Sequence, residues 1–401
     1  DGCRTYECGF VWIEEIQIMG ERNVIKAALL GAGTVGSGVY ALAEMLKDEM
    51  FQKTGASLEI KKVLVRNTKK DRPGIPKEIM TDNWQEILED EEIQLVIELM
   101  GGVEPARTYI VQALEAGKQV VTANKDVLAE HGQEILSLAE NSGCDIQFEA
   151  AVAGAIPIIR PLKQSLAGSM LTEIMGIVNG TTNYILTKMS EEGMDYKEAL
   201  AEATELGYAE ADPTADVEGY DAGRKIAIMS SLAFNSKVTF SDIYMEGITK
   251  ITDVDFKYAE KMGTSVKLFG TSRISGGRVS AFVAPVMIGK DHPLYAVNDV
   301  YNGIMVRGNM LGTSMFYGSG AGKLPTASAV IADIIEAAQN MKRNVRLGWT
   351  SERQAVEPMD RVSFRYFIRM AGTYRNKEQD VKRAFGKVEV VELYGMDEFA
   401  V

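Results

Sequence analysis

The chain has 401 residues, 46% apolar and 25% charged, the balance of a globular protein of two or three domains and not of a disordered one. Its 43 lysines and arginines are outnumbered by 56 aspartates and glutamates, and a net charge of −13 argues against nucleic acid or an anionic membrane surface as the main partner. No apolar run approaches the ~20 residues that a membrane span needs.

Residues 1–23 differ in character from the rest of the chain and read as a poorly ordered leader, without the basic-then-apolar pattern of a secretory signal. From residue 24, apolar runs alternate with amphipathic stretches. Strands are expected at 24–30, 58–65, 95–100, 119–122 and 145–150, and helices at 37–49, 84–88, 105–116 and 133–141. That alternation predicts right-handed crossovers and a parallel sheet over residues 24–150. Beyond residue 150 the character changes to an α+β unit with a mostly antiparallel sheet, reaching to about residue 345. Strands are expected at 171–178 and 279–288, with one or two more in 302–317. Helices are expected at 158–166, 184–189, 196–206, 217–233 and 255–262. A strong helix at 325–340 follows a glycine-rich turn. From residue 346 the chain is polar and irregular, and 365–370, 376–385 and 388–394 then read as a small βαβ unit.

Three cysteines (Cys3, Cys8, Cys144) make no disulfide framework, and a reducing, cytoplasmic setting fits. The two histidines, His131 and His292, leave little for histidine-based catalysis or a zinc site, so proton transfer falls to Lys, Asp, Glu or Tyr.

The first strand runs into Gly31-Ala-Gly33-Thr34-Val35-Gly36 and then a helix. In such a turn the first glycine allows the bend, the second lets the backbone approach a pyrophosphate, and the third lets helix and strand pack closely. A dinucleotide is the expected ligand. The next strand ends in Arg66-Asn-Thr-Lys-Lys70, with no carboxylate for ribose hydroxyls, and Arg66 suits a 2′-phosphate. NADP is therefore expected, with NAD tolerated. Lys125 follows a parallel strand at its carboxyl end, where open α/β sheets bind ligands, and the Gly101-Gly102 turn ends the neighbouring strand on the same side.

The least ordinary passage runs from Gly207 to Lys225. Glu210, Asp212, Asp216, Glu218 and Asp221 fall within twelve residues, and crowded carboxylates beside a cleft suit a cation such as a substrate ammonium. Asp216 reads as the N-cap of a helix from Val217, on which Asp221 and Lys225 are i, i+4 neighbours at the edge of an apolar stripe. The kinked stretch 149–157 offers carbonyls to a hard monovalent cation, and a second glycine loop spans 317–326.

Six passages together resemble homoserine dehydrogenase: Gly31-Ala-Gly-Thr-Val-Gly36, Val121-Thr-Ala-Asn-Lys125, Gly176-Ile-Val-Asn-Gly-Thr-Thr-Asn-Tyr184, Gly207-Tyr-Ala-Glu-Ala-Asp-Pro213, Asp216-Val-Glu-Gly-Tyr-Asp-Ala-Gly-Arg-Lys225 and Gly320-Ala-Gly322. The resemblance covers about residues 25–338. It implies NAD(P)-linked interconversion of L-homoserine and L-aspartate 4-semialdehyde, on the route to threonine, methionine and isoleucine. It implies a Rossmann domain, to which helix 325–340 returns, plus a dimerisation and catalytic domain, in a homodimer or a dimer of dimers. By the same resemblance Lys225 transfers the proton and Lys125 contacts substrate or nicotinamide. Glu210 and Asp221 bind substrate, Gly207 and Gly320 contact the cofactor, and Glu149, Val152, Gly154 and Ile156 hold sodium. Residues 365–401 look like the first half of the ACT regulatory module that many members carry, which makes control by threonine doubtful.

Overall fold

A computed structural model describes residues 23–341, 349, 350 and 356–401. The leader expected at 1–23 lies outside the described residues apart from Asn23. Strands β1 (Asn23–Leu30), β2 (Ala56–Leu64), β3 (Met80–Thr81), β4 (Ile93–Glu98), β5 (Gln119–Thr122) and β6 (Ile146–Gln147) form one sheet in the order β3-β2-β1-β4-β5-β6. Every pairing in it is parallel. Leu29, Leu30, Val96, Ile97, Val120 and Val121 are fully buried, as strands covered by helices on both faces must be. The order reverses between β1 and β4, so a crevice opens at their carboxyl ends, where the first glycine turn and the Gly101-Gly102 turn meet.

One covering helix comes from far along the chain. Helix Lys323–Gln339 packs on helix Thr34–Met45, where a Cβ at Gly38 would stand 3.1 Å from Lys323 Cγ and 3.2 Å from Ala327 Cβ. Val330, Ile334 and Ala337 join Val39, Tyr40 and Ala43 in one apolar cluster, so the second unit is tied back to the first.

The second sheet contains β7 (Leu171–Ile177), β8 (Tyr244–Met245), β9 (Thr264–Ser275), β10 (Arg278–Gly289), β11 (Tyr301–Gly308) and β12 (Gly312–Ser319), in the order β12-β11-β7-β9-β10-β8. It is antiparallel except where β8 meets β10. The twelve-residue β9 was not among the expected strands. Its pattern is masked by Lys267, a lysine only 2% exposed whose ammonium donates to the Val297 carbonyl (2.8 Å) and Asn298 Oδ1 (2.6 Å). Burial pushes that ammonium down to about 8.

Two expected helices change form. The stretch 158–166 holds a single wide turn, Pro161–Ser165. The helix expected over 217–233 is broken: Thr214–Val217 is one turn, Gly219 takes the left-handed region at φ +82°, and Tyr220–Ala233 begins afresh. A Cβ at Gly219 would meet Val283 Cγ1 at 2.9 Å, so both conformation and space call for glycine. Asp216 therefore lies inside the short turn and does not cap the long helix. Near the chain's end, β13 (Arg369–Ala371), helix Tyr374–Phe385, β14 (Val391–Glu392) and β15 (Glu398–Ala400) form a sheet ordered β13-β15-β14. The central β15 pairs antiparallel with both neighbours and replaces the simple βαβ arrangement. Among the described residues, no helix is long and apolar enough to cross a membrane.

Candidate active site

The glycine turn is shaped by contacts that admit no side chain. Gly31 has φ +95°, and a Cβ there would lie 2.8 Å from the Leu99 carbonyl oxygen. A Cβ at Gly36 would lie 2.1 Å from the Gly31 carbonyl oxygen. Gly33 differs: nothing lies within 4 Å of its Cβ position, and it starts helix Thr34–Met45 without a side-chain cap. Open space thus faces a helix start whose first N–H groups, those of Thr34, Val35 and Gly36, have no partners within the helix. This cradle fits a pyrophosphate. Arg66 is exposed just past β2, beside a loop that Arg72 draws in through the carbonyls of Asn67 and Lys70.

Lys125 is set by a chain of buried hydrogen bonds at the ends of β4 and β5. Glu98 is fully buried, and burial pushes its carboxyl up. It accepts from Thr122 Oγ1 (2.6 Å) and from the Met100 N–H (2.7 Å). Thr122 Oγ1 accepts the Asn124 N–H (3.0 Å), while Asn124 donates to the Gly102 carbonyl (2.7 Å) and caps the helix through the Val127 N–H (3.2 Å). Helix Lys125–Asn141 therefore starts at Lys125, eight residues before the expected 133–141, and holds that lysine in its first turn. Gly101 (φ +75°) and Gly102 (φ +74°) bend the adjacent turn.

From the second unit, helix Tyr220–Ala233 brings Asp221 and Lys225, 6% and 9% exposed, against the same end of the sheet. Lys225 Nζ donates to Asp221 Oδ2 (2.6 Å) and to the Val178 carbonyl (2.7 Å). Lys125 Nζ lies 3.1 Å from Asp221 Oδ1. One carboxylate thus joins two ammonium groups, one from each unit. Asn179, to which the sequence pattern assigns no role, completes the cluster. Its Oδ1 caps helix Gly180–Glu191 through the Thr182 N–H (2.9 Å), and its Nδ2 donates to Asp221 Oδ2 (2.9 Å) and Asp216 Oδ1 (2.7 Å). An aspartate could cap the helix but could not donate, so an Asn-Gly helix start facing an acidic stretch was the available signal.

The electrostatics follow from these contacts. Burial pushes the Asp221 carboxyl up, but the Lys225 and Lys125 ammonium groups outweigh it and hold the group well below the ordinary carboxylate range. Asp221 in turn pushes Lys125 up against the opposing effect of burial. Burial pushes Asp216 up, and only the Asn179 amide and the more distant lysines pull it back. The cluster therefore presents ammonium groups on an ionised carboxylate beside a second carboxyl that protonates more readily.

Other expected site residues stand differently. Glu210 is exposed, and Asp212 is exposed with its Oδ1 accepting the Thr214 N–H (3.1 Å) in a tight turn. Gly207 (φ +77°) ends helix Tyr196–Glu205. Gly154 and Gly320 are brought together: a Cβ at Gly154 would lie 2.6 Å from the Gly320 carbonyl, and one at Gly320 would meet the Asn302 amide nitrogen at 2.0 Å. The Glu149 carboxylate accepts the N–H groups of Ile158 (2.5 Å), Ile159 (2.7 Å) and Arg160 (2.8 Å), so cation ligands around Val152, Gly154 and Ile156 would be main-chain carbonyl oxygens, of which that of Glu149 also accepts the Val152 N–H (3.2 Å). Among the described residues, no three His, Cys, Asp or Glu side chains converge on a metal geometry. Cys144 is buried, and burial pushes its thiol up, which is unsuited to a nucleophile. A cavity of about 470 Å³ lined by Ile93, Lys118 and Cys144 lies at the opposite end of the sheet, away from this chemistry.

A dinucleotide cradle at a switch point, with one lysine of its own unit and a lysine and carboxylates of a second unit converging beside it, defines a nicotinamide-dependent oxidoreductase of two-domain type. Residues 31–149 match the family model of the homoserine dehydrogenase NAD-binding domain, and residues 157–335 match that of homoserine dehydrogenase. A homoserine dehydrogenase of Mycobacterium tuberculosis is 47% identical over 362 residues, which is 88% of this chain and 81% of that one. A crystal structure of a homoserine dehydrogenase from Thiobacillus denitrificans superposes with a TM-score of 0.88 at 35% identity, covering 94% of this chain and 90% of that one. A hyperthermophilic archaeal homoserine dehydrogenase mutant in complex with NADPH gives a TM-score of 0.65 at 29% identity over 78% of this chain and 97% of that one. The chain belongs to the homoserine dehydrogenase family.

Proposed function

We propose that the chain interconverts L-homoserine and L-aspartate 4-semialdehyde with NADP, using Lys225 as the proton-transfer residue and Lys125 as its partner. The observation that carries this reading is the convergence of both ammonium groups on Asp221. When bound, the nicotinamide dinucleotide supplies the hydride acceptor and, in reverse, the donor. Gly31, Gly33, Thr34, Val35, Gly36 and Gly101 would hold it, with Gly207 and Gly320 as further contacts. In oxidation Lys225, as the neutral amine, takes the proton of the substrate hydroxyl and becomes the ammonium, and in reduction that ammonium returns the proton to the oxygen, while Lys125 steadies the developing negative oxygen from the other side. Asp221 keeps both lysines aimed at that oxygen. Asp216, with Glu210 and Asp212 from the loop before it, receives the substrate ammonium. Replacing Lys125 by methionine is expected to lower kcat by about 10²–10³-fold, the scale of losing one group that stabilises a developing oxyanion, with the Kd for NADPH little changed. Parental turnover in that variant would remove Lys125 from the reaction.

NADP is favoured over NAD by Arg66 and by the lack of a carboxylate at the end of β2, and the archaeal NADPH complex is in keeping with that choice. Arg66→Ala is expected to lower the NADP-to-NAD ratio of kcat/KM by about tenfold, the size of one charge-assisted contact. An unchanged ratio would remove Arg66 from cofactor choice. Sodium, if bound, would sit on the carbonyls of Glu149, Val152, Gly154 and Ile156, since the Glu149 carboxylate is engaged elsewhere. Edge strand β12 exposes Met315 and Tyr317, which supports a homodimer or dimer of dimers through this sheet. Residues 365–401, after a linker from residue 346, read as a partial ACT-like segment, and the setting as cytoplasmic amino-acid biosynthesis.

A further inference from the structure

Lys125 is followed by Asp126, and both reach the same opposing helix. Lys125 Nζ lies 3.1 Å from Asp221 Oδ1, and Arg224 Nε lies 2.7 Å from Asp126 Oδ1. The polarity is crossed. Helix Lys125–Asn141 offers a cation and then an anion, and helix Tyr220–Ala233 offers an anion and then, three residues on, a cation. A slide of one helix along the other would separate both pairs and bring like charges together. Arg224 is itself held in place, with its guanidinium carbon 4.8 Å from the centre of the Phe240 ring, which packs edge-on to Tyr220. Asp126 and Arg224 side chains are 31% and 23% exposed, so water only partly screens the pair.

We propose that the Asp126–Arg224 ion pair is a positioning device that sets the register of the two helices and thereby keeps the Lys125 ammonium on Asp221. It rests on the reading that Lys125 acts in the reaction. Neither Asp126 nor Arg224 touches the reacting atoms; they act through Lys125. The pair gives the two units a fixed docking point beside the chemistry, and neither side chain takes part in the glycine turn at residues 31–36.

The test uses the full chain and the variants Asp126→Asn, Arg224→Met, Arg224→Lys and the exchanged pair Asp126→Arg with Arg224→Asp. Three quantities are measured: turnover with homoserine, the Kd for NADPH, and acylation of Lys125 at neutral pH quantified by peptide mass spectrometry. Asp126→Asn and Arg224→Met are each expected to lower kcat by about tenfold, the scale of coupling between contacting charges. The Kd for NADPH should stay within about twofold and Lys125 acylation should rise. The exchanged pair should recover most of both losses, and Arg224→Lys should retain more than Arg224→Met even if the exchanged pair fails to fold. Turnover and acylation at parental levels in Asp126→Asn and Arg224→Met would overturn the proposal, as would an exchanged pair that folds but is no better than the worse single variant. If Lys125→Met keeps parental turnover, the role of Lys125 itself fails. If Lys125→Met loses turnover while Asp126→Asn and Arg224→Met do not, only the positioning role fails.

Discussion

Replacing Lys225 by methionine is expected to lower kcat for homoserine oxidation by about 10²–10⁴-fold, the range set by removing a positioned proton-transfer group. The Kd for NADPH should barely move. Lys225 donates to Asp221 and to the Val178 carbonyl, both in the second unit, and takes no part in shaping the glycine turn. Methionine keeps the length and the apolar stem of the side chain, so packing along Ile226, Ile228 and Met229 should survive. The carboxylate of Asp221 would still meet Lys125 and Asn179, so the cluster loses the two hydrogen bonds of Lys225 and keeps its anion partnered. Initial-rate measurements beside NADPH titration read the two effects separately. Turnover close to that of the parent would take the proton chemistry away from Lys225.

Asp221→Asn acts on both stability and rate. It leaves two ammonium groups without their shared anion, and breaking a buried ion pair from one side costs about 3–5 kcal/mol. Lys125 is the more exposed partner, at 37% of its side chain, so the lower end of that range is expected. With the asparagine oxygen kept for Asn179 Nδ2 and Lys225 Nζ, which both reach Oδ2, its NH2 group would stand at Oδ1 and set donor against donor with the Lys125 ammonium. The pH dependence has a definite sign. The folded Asp221 carboxyl lies below its ordinary value of 3.8, so its stabilising contribution is complete above that value and is lost only as pH falls through the depressed one. The folded Lys125 ammonium lies above its ordinary 10.5, so its contribution is complete below 10.5 and is lost as pH rises through the raised value. Because Asp221 is the main cause of that rise, Asp221→Asn should move the alkaline limb of kcat/KM toward lower pH. It should also lower the midpoint of denaturant unfolding at neutral pH and leave the m-value unchanged. An alkaline limb that stays in place would show that Lys125 does not set it.

What the sequence made legible was local. The glycine turn at 31–36 sits directly between a strand and a helix, and Asp221 and Lys225 meet at one turn's spacing on one helix, so both could be read from neighbouring residues. The contacts that complete the site join distant segments. Asn179 reaches Asp221 across 42 positions, and Glu98 reaches Thr122 across 24. No short-range pattern carries such pairings. The break at Gly219 was hidden in the run of residues read as one helix, and the left-handed turn there together with the approach of Val283 from β10 explains why glycine stands at that position. Strand β9 escaped notice for a related reason. Lys267 reads as a solvent-facing residue until the carbonyl of Val297 and the amide of Asn298 are seen to satisfy its ammonium inside the fold. In each case the tertiary partner overrides the local preference.

Homoserine-dependent reduction of NADP by the full chain at alkaline pH, followed through the absorbance of the reduced nicotinamide, tests the proposed activity most directly. Steady formation of NADPH that saturates with homoserine is the expected result. Normal NADPH binding with no homoserine-dependent turnover would contradict it, and would leave a nucleotide-binding protein whose lysine and carboxylate cluster performs no dehydrogenase chemistry.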